Sequence, residues 1–533
     1  MRAAANLADL LARAAQESPE RPALVEADSG RRATWAELDA EADRVAQGLS
    51  GLGLVAGHRV MIALTNRIEF VASYFGALRA RLVAVPVNPR STTGETVRMI
   101  ADCGARVVVA DLGTVATVRA AVAGLEDALV GADEELKART TVPRVVVASA
   151  PTLPGETEYA SLARDGGRPT PMPEDPEALA VLLYTSGTSG RPRAAMLTHR
   201  ALVANIEQAA VVEPPLLTAD DVVLGVLPLF HVYGLNAVLG QVVRQQATLV
   251  LAEEFDVQGT LDVIEREAVT VLPVAPPVFA YWRDVEGLAD RLRSVRVVLS
   301  GSAPLAPDLL ATFEERSGVT VHQGYGLTEA APVVTTTQCS ASPKRASVGA
   351  ALPGISLRLV DETGHDLEGE DPGQILVKGE NLFSGYWPDG VDGPGEDGWW
   401  ATGDVGFLDP DGDLFLVDRL KDLVIVSGFN VYPVEVEDAI VELDAVSQAA
   451  VIGIDDEITG EAVVAYVQQA PGSQLAPDEL AELVREHCAT RLARFKQPSL
   501  VNVVDELPQT PTGKIAKGRL RATERRRNLG LLE

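Results

Sequence analysis

The sequence predicts a mixed α/β fold: a large N-terminal α/β domain, a β-rich subdomain, and a small α+β domain at the C-terminus. Three observations predict it. Residues 1 to about 175 alternate helical and apolar-strand patterns, as largely parallel sheets covered by helices do. Four later apolar runs each end in a polar or glycine loop, the place where open α/β sheets bind ligands. From about 355 the pattern changes to short strands with turns, and from Lys421 to strands alternating with helices.

Taken in order, Glu37 to Gly51 reads as an amphipathic helix, and Arg59 to Leu64, Leu82 to Val87 and Arg106 to Ala110 as strands. Gly155 to Glu174 is polar and rich in Pro and Gly, a surface connector. The four apolar runs follow. Leu179 to Leu183 leads into Tyr184-Thr185-Ser186-Gly187, and Val222 to Leu227 into Pro228-Leu229-Phe230-His231. Val295 to Leu299 leads into Ser300-Gly301-Ser302-Ala303-Pro304, and Val319 to Gln323 into Gly324-Tyr325-Gly326-Leu327-Thr328-Glu329. These loops are expected to converge on one crevice. The β-rich stretch carries turns such as Asp409-Pro410-Asp411-Gly412-Asp413. The last domain holds Leu423 to Ser427, Glu435 to Leu443, Ala449 to Ile454, Ala462 to Gln468 and Pro477 to Thr490, then a basic tail, Arg519 to Arg527, that reads as a solvated helix end.

A length of 533 residues with 47% hydrophobic content suits more than one core. The formal charge of −29 argues against nucleic acid as a partner. Cys103, Cys339 and Cys488 match no disulfide or metal spacing, and the N-terminus lacks a full signal-peptide apolar region, so a cytoplasmic protein with reduced thiols is expected. Val222 to Val243 holds no acidic or basic residue besides His231 and is long enough to span a bilayer. Pro228, Gly234, Asn236 and Gln241 interrupt it, so it reads as a buried strand, a loop and a helix. Only seven lysines stand against 39 arginines, and four of them (Lys421, Lys496, Lys514, Lys517) fall after residue 420. A lysine retained against that bias is less apt to be surface filler.

Two runs carry the chemistry. Thr185-Ser186-Gly187-Thr188-Ser189-Gly190 offers backbone N–H groups and hydroxyls that can wrap phosphate oxygens, with Arg193 close behind. It lacks the P-loop spacing and terminal Lys-Ser/Thr. Far downstream, Pro511-Thr512-Gly513-Lys514-Ile515 presents a lone lysine on a flexible turn. Thr328-Glu329 also suits a helix start, so capping competes with chemistry there. Asp404, taken alone, is a turn residue.

These motifs co-occur in order with Thr402-Gly403-Asp404 and Asp418-Arg419-Leu420-Lys421-Asp422. Together they resemble the acyl-adenylate-forming (AMP-binding) superfamily across nearly the whole chain, and most resemble bacterial fatty-acyl-CoA and aryl-CoA ligases. The resemblance implies an N-terminal domain, 1–418, of two α/β sheets plus the β-rich subdomain, a hinge at 419–422, and a mobile domain, 423–533, carrying the catalytic lysine. It implies ATP, Mg²⁺ and coenzyme A. Thr185 to Gly190 and Arg193 would hold the β- and γ-phosphates, Thr328 the α-phosphate, and Glu329 the metal. Tyr325, between Gly324 and Gly326, would stack on adenine opposite Gly301-Ser302-Ala303. Asp404 and Arg419 would hold the ribose. His231 would border and gate the carboxylate site, and Lys514 would bridge carboxylate and α-phosphate. Lys421 would be the hinge, and Gly428 would line a pantetheine tunnel. Two departures from the family pattern are visible: Arg193-Ala194 replaces Lys-Gly, which keeps the charge, and Ala401 replaces a bulkier residue.

By the same resemblance the acyl pocket would comprise Tyr233, Leu235, Asn236, Ser300, Gly301, Ser302, Gly324, Ala330, Ala331, Pro332 and Val333. With no fixed cation and no Asp among them, an apolar monocarboxylic acid is expected. Small residues favour a medium- or long-chain fatty acid, while His231 to Asn236 resembles aryl-CoA ligases and keeps a coumarate-like acid open. A ligase loading a carrier-protein phosphopantetheine and a non-catalytic adenylate-binding scaffold are the alternatives. The first usually carries an insertion not evident here, and intact Lys514, Glu329, Asp404 and Arg419 disfavour the second. Peripheral membrane contact and a homodimer stay open.

Overall fold

In a computed structural model of the protein, the described residues are 6–162, 175–185, 193–303, 305–361, 363–367, 371–419, 422–426, 429–456, 460–492, 494–510 and 514–528. The chain forms two compact units. The larger comprises Met1–Gly187, Arg191–Ser356 and Lys378–Trp400, and the smaller includes Leu357–Val377 and Ala401–Glu533.

The large unit is built on two sheets, as the resemblance implied. The seven-stranded one runs in the order Thr157–Glu158, Arg144–Val147, Ala105–Ala110, Arg59–Ala63, Val83–Pro86, Leu179–Thr185, Arg193–Thr198. All neighbours are parallel except the last pair. The nine-stranded sheet runs Ala350–Ala351, Val333–Thr336, Val321–Gly326, Val297–Ser300, Val271–Val274, Val222–Gly225, Thr248–Leu251, Pro22–Glu26, Arg32–Thr34. Its six inner strands are parallel.

Side-chain alternation divides these strands between cores. Val60 and Ile62 join a core shared with Leu24, Val223 and Leu249 of the other sheet. Met61 and Ala63 point to a second core, against the helix Thr93–Cys103. The outer face of the nine-stranded sheet packs on Val257–Glu267 and Pro307–Ser317. Strands covered on both faces explain the nearly continuous apolar runs.

The helix Trp35–Gly51 begins two residues before the expected Glu37. Thr34 caps it: its Oγ1 accepts from Glu37 N–H, and Glu37 Oε2 accepts from Thr34 N–H. It packs on Ile68–Arg79, a helix buried along its whole length. Arg79, 2% exposed, is tolerated there because Asp39 and Asp43 grip its guanidinium at 2.5 and 2.9 Å. The apolar stretch from Val222 resolves into the strand Val222–Gly225 and a continuous helical run, π-wound over Tyr233–Gly240 and α over Gln241–Gln245. No helix of the described residues is long and apolar enough to cross a membrane.

Ser356–Val360, Gly373–Lys378, Trp400–Leu408 and Leu414–Arg419, in the small unit but for the end residues Ser356, Lys378 and Trp400, form a four-stranded sheet, the β-rich stretch of the sequence. A five-stranded sheet follows, centred on Gly460–Gln469, with Val446–Asp456 on one side and Val424–Val426 and Leu500–Val504 on the other. The helices Pro433–Val441 and Pro477–Arg491 cover one face. The basic tail corrects an expectation. It forms Lys517–Asn528, and rather than fraying into solvent it buries Leu520 against Ala450, Ile452 and Tyr466 on the other face.

Candidate active site

The strand Val321–Gly326 reverses into Val333–Thr336 through one 3-10 turn, Thr328–Ala330. No helix follows, so Thr328 and Glu329 cap nothing, and the competing explanation of that pair falls. Gly326 is demanded by the reversal: a Cβ there would lie 2.3 Å from Pro332 O. Gly324 likewise faces Thr335 O, at 2.9 Å from such a Cβ. Tyr325 between them is buried, and Ala331 closes the turn at φ +63°.

Glu329, 8% exposed, is held through both backbone and side chain. Its carbonyl accepts from Phe383 N–H at 2.9 Å, and its Oε1 accepts from the Tyr386 hydroxyl at 2.5 Å. Asn381 Nδ2 donates to the next carbonyl, Ala330 O, at 2.7 Å. Burial first, and then the neighbouring Glu329 charge, push the Tyr386 ionisation up, which keeps the hydroxyl a donor. The Arg193 guanidinium lies 3.8 Å over the Tyr386 ring and binds Asp392 Oδ2 at 2.6 Å. Thr185 Oγ1 donates to Arg193 O at 3.3 Å. One layer back, Asp102 ties both flanks: Tyr184 OH donates to its Oδ2 at 2.7 Å and Trp387 Nε1 to its carbonyl at 3.0 Å.

His231 Nδ1 accepts from Tyr233 N–H at 3.3 Å. Tyr233 OH donates to Leu299 O at 3.1 Å, and its ring lies 3.1 Å from where a Cβ on Gly301 would stand. Burial pushes the Tyr233 hydroxyl ionisation up as well. Asn236, 1% exposed, gives its amide to Leu202 O and Ala331 O at 3.1 and 2.6 Å, tying the helical run to the turn behind Glu329. Leu235, Ala330 and Ala331 are core residues, Ser300 and Pro332 are buried, and Val333 is half-buried. Ser302 takes φ +77°, and Gly301, Ser302 and Ala303 are partly exposed.

The four expected loops do not come from one sheet. Three follow strands of the nine-stranded sheet, whereas Tyr184-Thr185 ends a strand of the seven-stranded one. The stretch 381–387 joins them within the large unit, pairing through Gly385 and Trp387 with Met196 and Ala194 while it holds Glu329. The sequence reading missed this stretch. Its signal was a Gly-Tyr-Trp-Pro run inside a glycine-rich loop, with no charge to mark it.

In the small unit, strand register sets Asp404 directly opposite Arg419, whose backbone alone is described. Asp404 N–H donates to Thr402 Oγ1 at 3.1 Å, and Gly403 takes φ +76°. Lys514 pairs with Thr510: Thr510 N–H donates to Lys514 O at 2.6 Å, Lys514 N–H donates to Thr510 Oγ1 at 3.1 Å, and Gln509 bridges to Ile515. Ser186, Gly187, Thr188, Ser189, Gly190, Lys421 and Gly428 lie outside the described residues. Among the described residues no group of three or more His, Cys, Asp or Glu is placed to hold a metal ion.

Residues 11–387 match the AMP-binding enzyme family and residues 435–514 the AMP-binding enzyme C-terminal domain. The chain is 34% identical over 517 residues to a 4-coumarate–CoA ligase of Oryza sativa subsp. japonica, covering 94% of this chain and 89% of that one. Among solved structures, ATP-bound MatB from Rhodopseudomonas palustris superposes with a TM-score of 0.85 at 31% identity, over 97% of this chain and 99% of that one. An anthranilate CoA ligase in complex with anthranoyl-AMP gives 0.82 at 26% identity, over 97% of both chains.

Proposed function

The chain belongs to the AMP-binding enzyme family and is an AMP-forming acid–CoA ligase; from that premise we propose that it activates an aromatic monocarboxylic acid of the cinnamate type. The carrying observation is the Tyr233–Gly301 contact. Tyr233 is anchored to Leu299 O, and its ring lies so close to Gly301 that a methyl group there would press on it. An alkyl chain passing between these two elements would have to displace that ring, whereas a planar substrate can lie alongside it. Relatives named for coumarate and anthranilate support this reading over the fatty acid that the small pocket residues suggested.

The reaction needs little covalent help from the protein. The acid is already ionised at neutral pH, so its oxygen attacks the α-phosphorus of ATP without a base. The new O–P bond forms as the bond to pyrophosphate breaks. Catalysis then rests on positioning and on cations that meet the charge gathering on phosphoryl oxygens. Arg193 and Thr185 hold the outer phosphates, Thr328 the α-phosphate, and Lys514 the bridging charge, while His231 lines the carboxylate site. Tyr325 and Gly301-Ser302-Ala303 take adenine. Asp404 and Arg419, opposite each other in register, take the two ribose hydroxyls.

Glu329 fits a magnesium ion. It is a single buried carboxylate with one oxygen fixed, and magnesium commonly takes one or two carboxylates plus substrate phosphates and water. When bound, the ion would neutralise phosphate charge. Coenzyme A then takes the acyl group: its sulfur attacks the acyl carbon and AMP leaves. Rotation of 423–533 about Lys421, with Gly428 beside the pantetheine, would separate the two steps.

The test is pyrophosphate release and CoA-ester formation across cinnamic, benzoic, octanoic and palmitic acids. Cinnamate should lead octanoate and palmitate by roughly tenfold or more in kcat/KM, about the value of a well-fitted pocket. A fatty acid in first place overturns the proposal.

A further inference from the structure

Glu329 comes from the 3-10 turn Thr328–Ala330 and Arg193 from a strand of the other sheet, yet one side chain touches both. Tyr386 lies in an extended stretch that bridges to Ala195 on one side and Val391 on the other. Met196 N–H donates to Gly385 O at 3.0 Å, and Trp387 N–H to Ala194 O at 2.9 Å, so the backbone on each side of Tyr386 is pinned. Its ring packs T-shaped with Phe383, centroids 5.0 Å apart at 78°, and Phe383 packs with Trp400 in the same way at 5.2 Å. A ring held by its backbone and by this packing still offers a face and its hydroxyl to other groups. The hydroxyl goes to the Glu329 carboxylate at 2.5 Å, and the face to the Arg193 guanidinium at 3.8 Å.

Resting on the ligase reading above, we propose that Tyr386 is a positioning residue for adenylation: its hydroxyl orients the Glu329 carboxylate and its ring face orients Arg193. The metal-facing anion and the phosphate-facing cation are thereby set as one unit before nucleotide arrives. A carboxylate that accepts a hydrogen bond at one oxygen is held in one rotation, and loss of such a partner typically weakens metal binding by one to two orders of magnitude. An arginine over a ring face keeps its charge and its in-plane donors for phosphate.

Phenylalanine separates the two contributions, because it removes the hydroxyl and keeps the ring. Calorimetry of ATP binding, once with Mg²⁺ and once with EDTA, reads them apart. The Tyr386→Phe enzyme should bind ATP in EDTA within about twofold of wild type, and in Mg²⁺ roughly tenfold more weakly. Tyr386→Leu should also weaken binding in EDTA, by about threefold. A Tyr386→Phe enzyme that keeps the full gain in affinity from Mg²⁺ overturns the inference. So does one that loses affinity equally with and without the ion, the mark of a merely structural ring. A wild-type protein that binds ATP in neither condition brings down the ligase reading itself, and this inference with it.

Discussion

In the large unit Glu329 is held by a tyrosine 57 positions along the chain, and Arg193 by an aspartate 199 positions along it. In the small unit Lys514 is held by a threonine four positions away, and Asp404 meets Arg419 across a single hairpin. One unit assembles its chemistry from segments remote in sequence. The other carries its groups on turns that close locally. The first arrangement makes a rigid floor whose geometry depends on global packing. The second makes replaceable parts, each expected to contribute one separable step.

The sharpest way to break that contrast is Lys514→Ala. Pyrophosphate release should fall by roughly 10³-fold, the scale of losing a charge at a developing phosphoryl anion. The same variant, given pre-made acyl-AMP and CoA, should form the thioester within about twofold of the wild-type rate. Equal loss of both half-reactions would mean that the lysine is not a separable part.

The next effect tests how the floor depends on packing. His199, 2% exposed, accepts from Leu7 N–H at its Nδ1 and anchors the first described residues of the chain. Burial pushes its ionisation down from 6.5 to about 4, with Asp175 opposing weakly. The folded value lies below the unfolded one, so this stability is complete above pH 6.5 and drains away as the pH falls toward 4. That is about 3 kcal/mol across the window. Urea midpoints at pH 7 and pH 4.5 should show the loss, and His199→Gln should remove most of the difference between them. An unchanged difference would place the acid sensitivity elsewhere.

Asp404→Ala comes third. The KM for ATP should rise by roughly ten- to a hundredfold, the cost of losing hydrogen bonds to a charged acceptor, with kcat much less affected. An unchanged KM would remove the ribose role. The smallest effect is expected at Asp392, whose exposed carboxylate takes one donor nitrogen of Arg193 and leaves the others for phosphate. Asp392→Asn should lower the KM for ATP by about twofold, in keeping with the small energies of exposed pairs.

The same contrast explains what could be read from the sequence. Runs such as Arg59 to Leu64 announced strands because burial on two faces demands unbroken apolar residues, and Asp404, Arg419 and Lys514 lay in short motifs whose geometry is local. Tyr386, Asn381 and Asp392 could not be read that way. Their importance comes from which distant strand they pair with, and no spacing records that. The start of the helix was placed two residues late because the Thr34 cap stands directly before Trp35, itself the first residue of the apolar series. The docked tail was missed because Leu520 is one apolar residue among many charges.

The missing Cβ at Gly301, with the Tyr233 ring 3.1 Å from where it would stand, has a consequence beyond this one molecule. A side chain at the glycine position would press on the ring, so the two positions are expected to vary together. Descendants of the same ancestral gene that gain a side chain at the glycine position should have traded the tyrosine for something smaller, before or soon after. Such paired inheritance would divide the lineage by the shape of the acid accepted, and it could be counted in an alignment before any protein is purified.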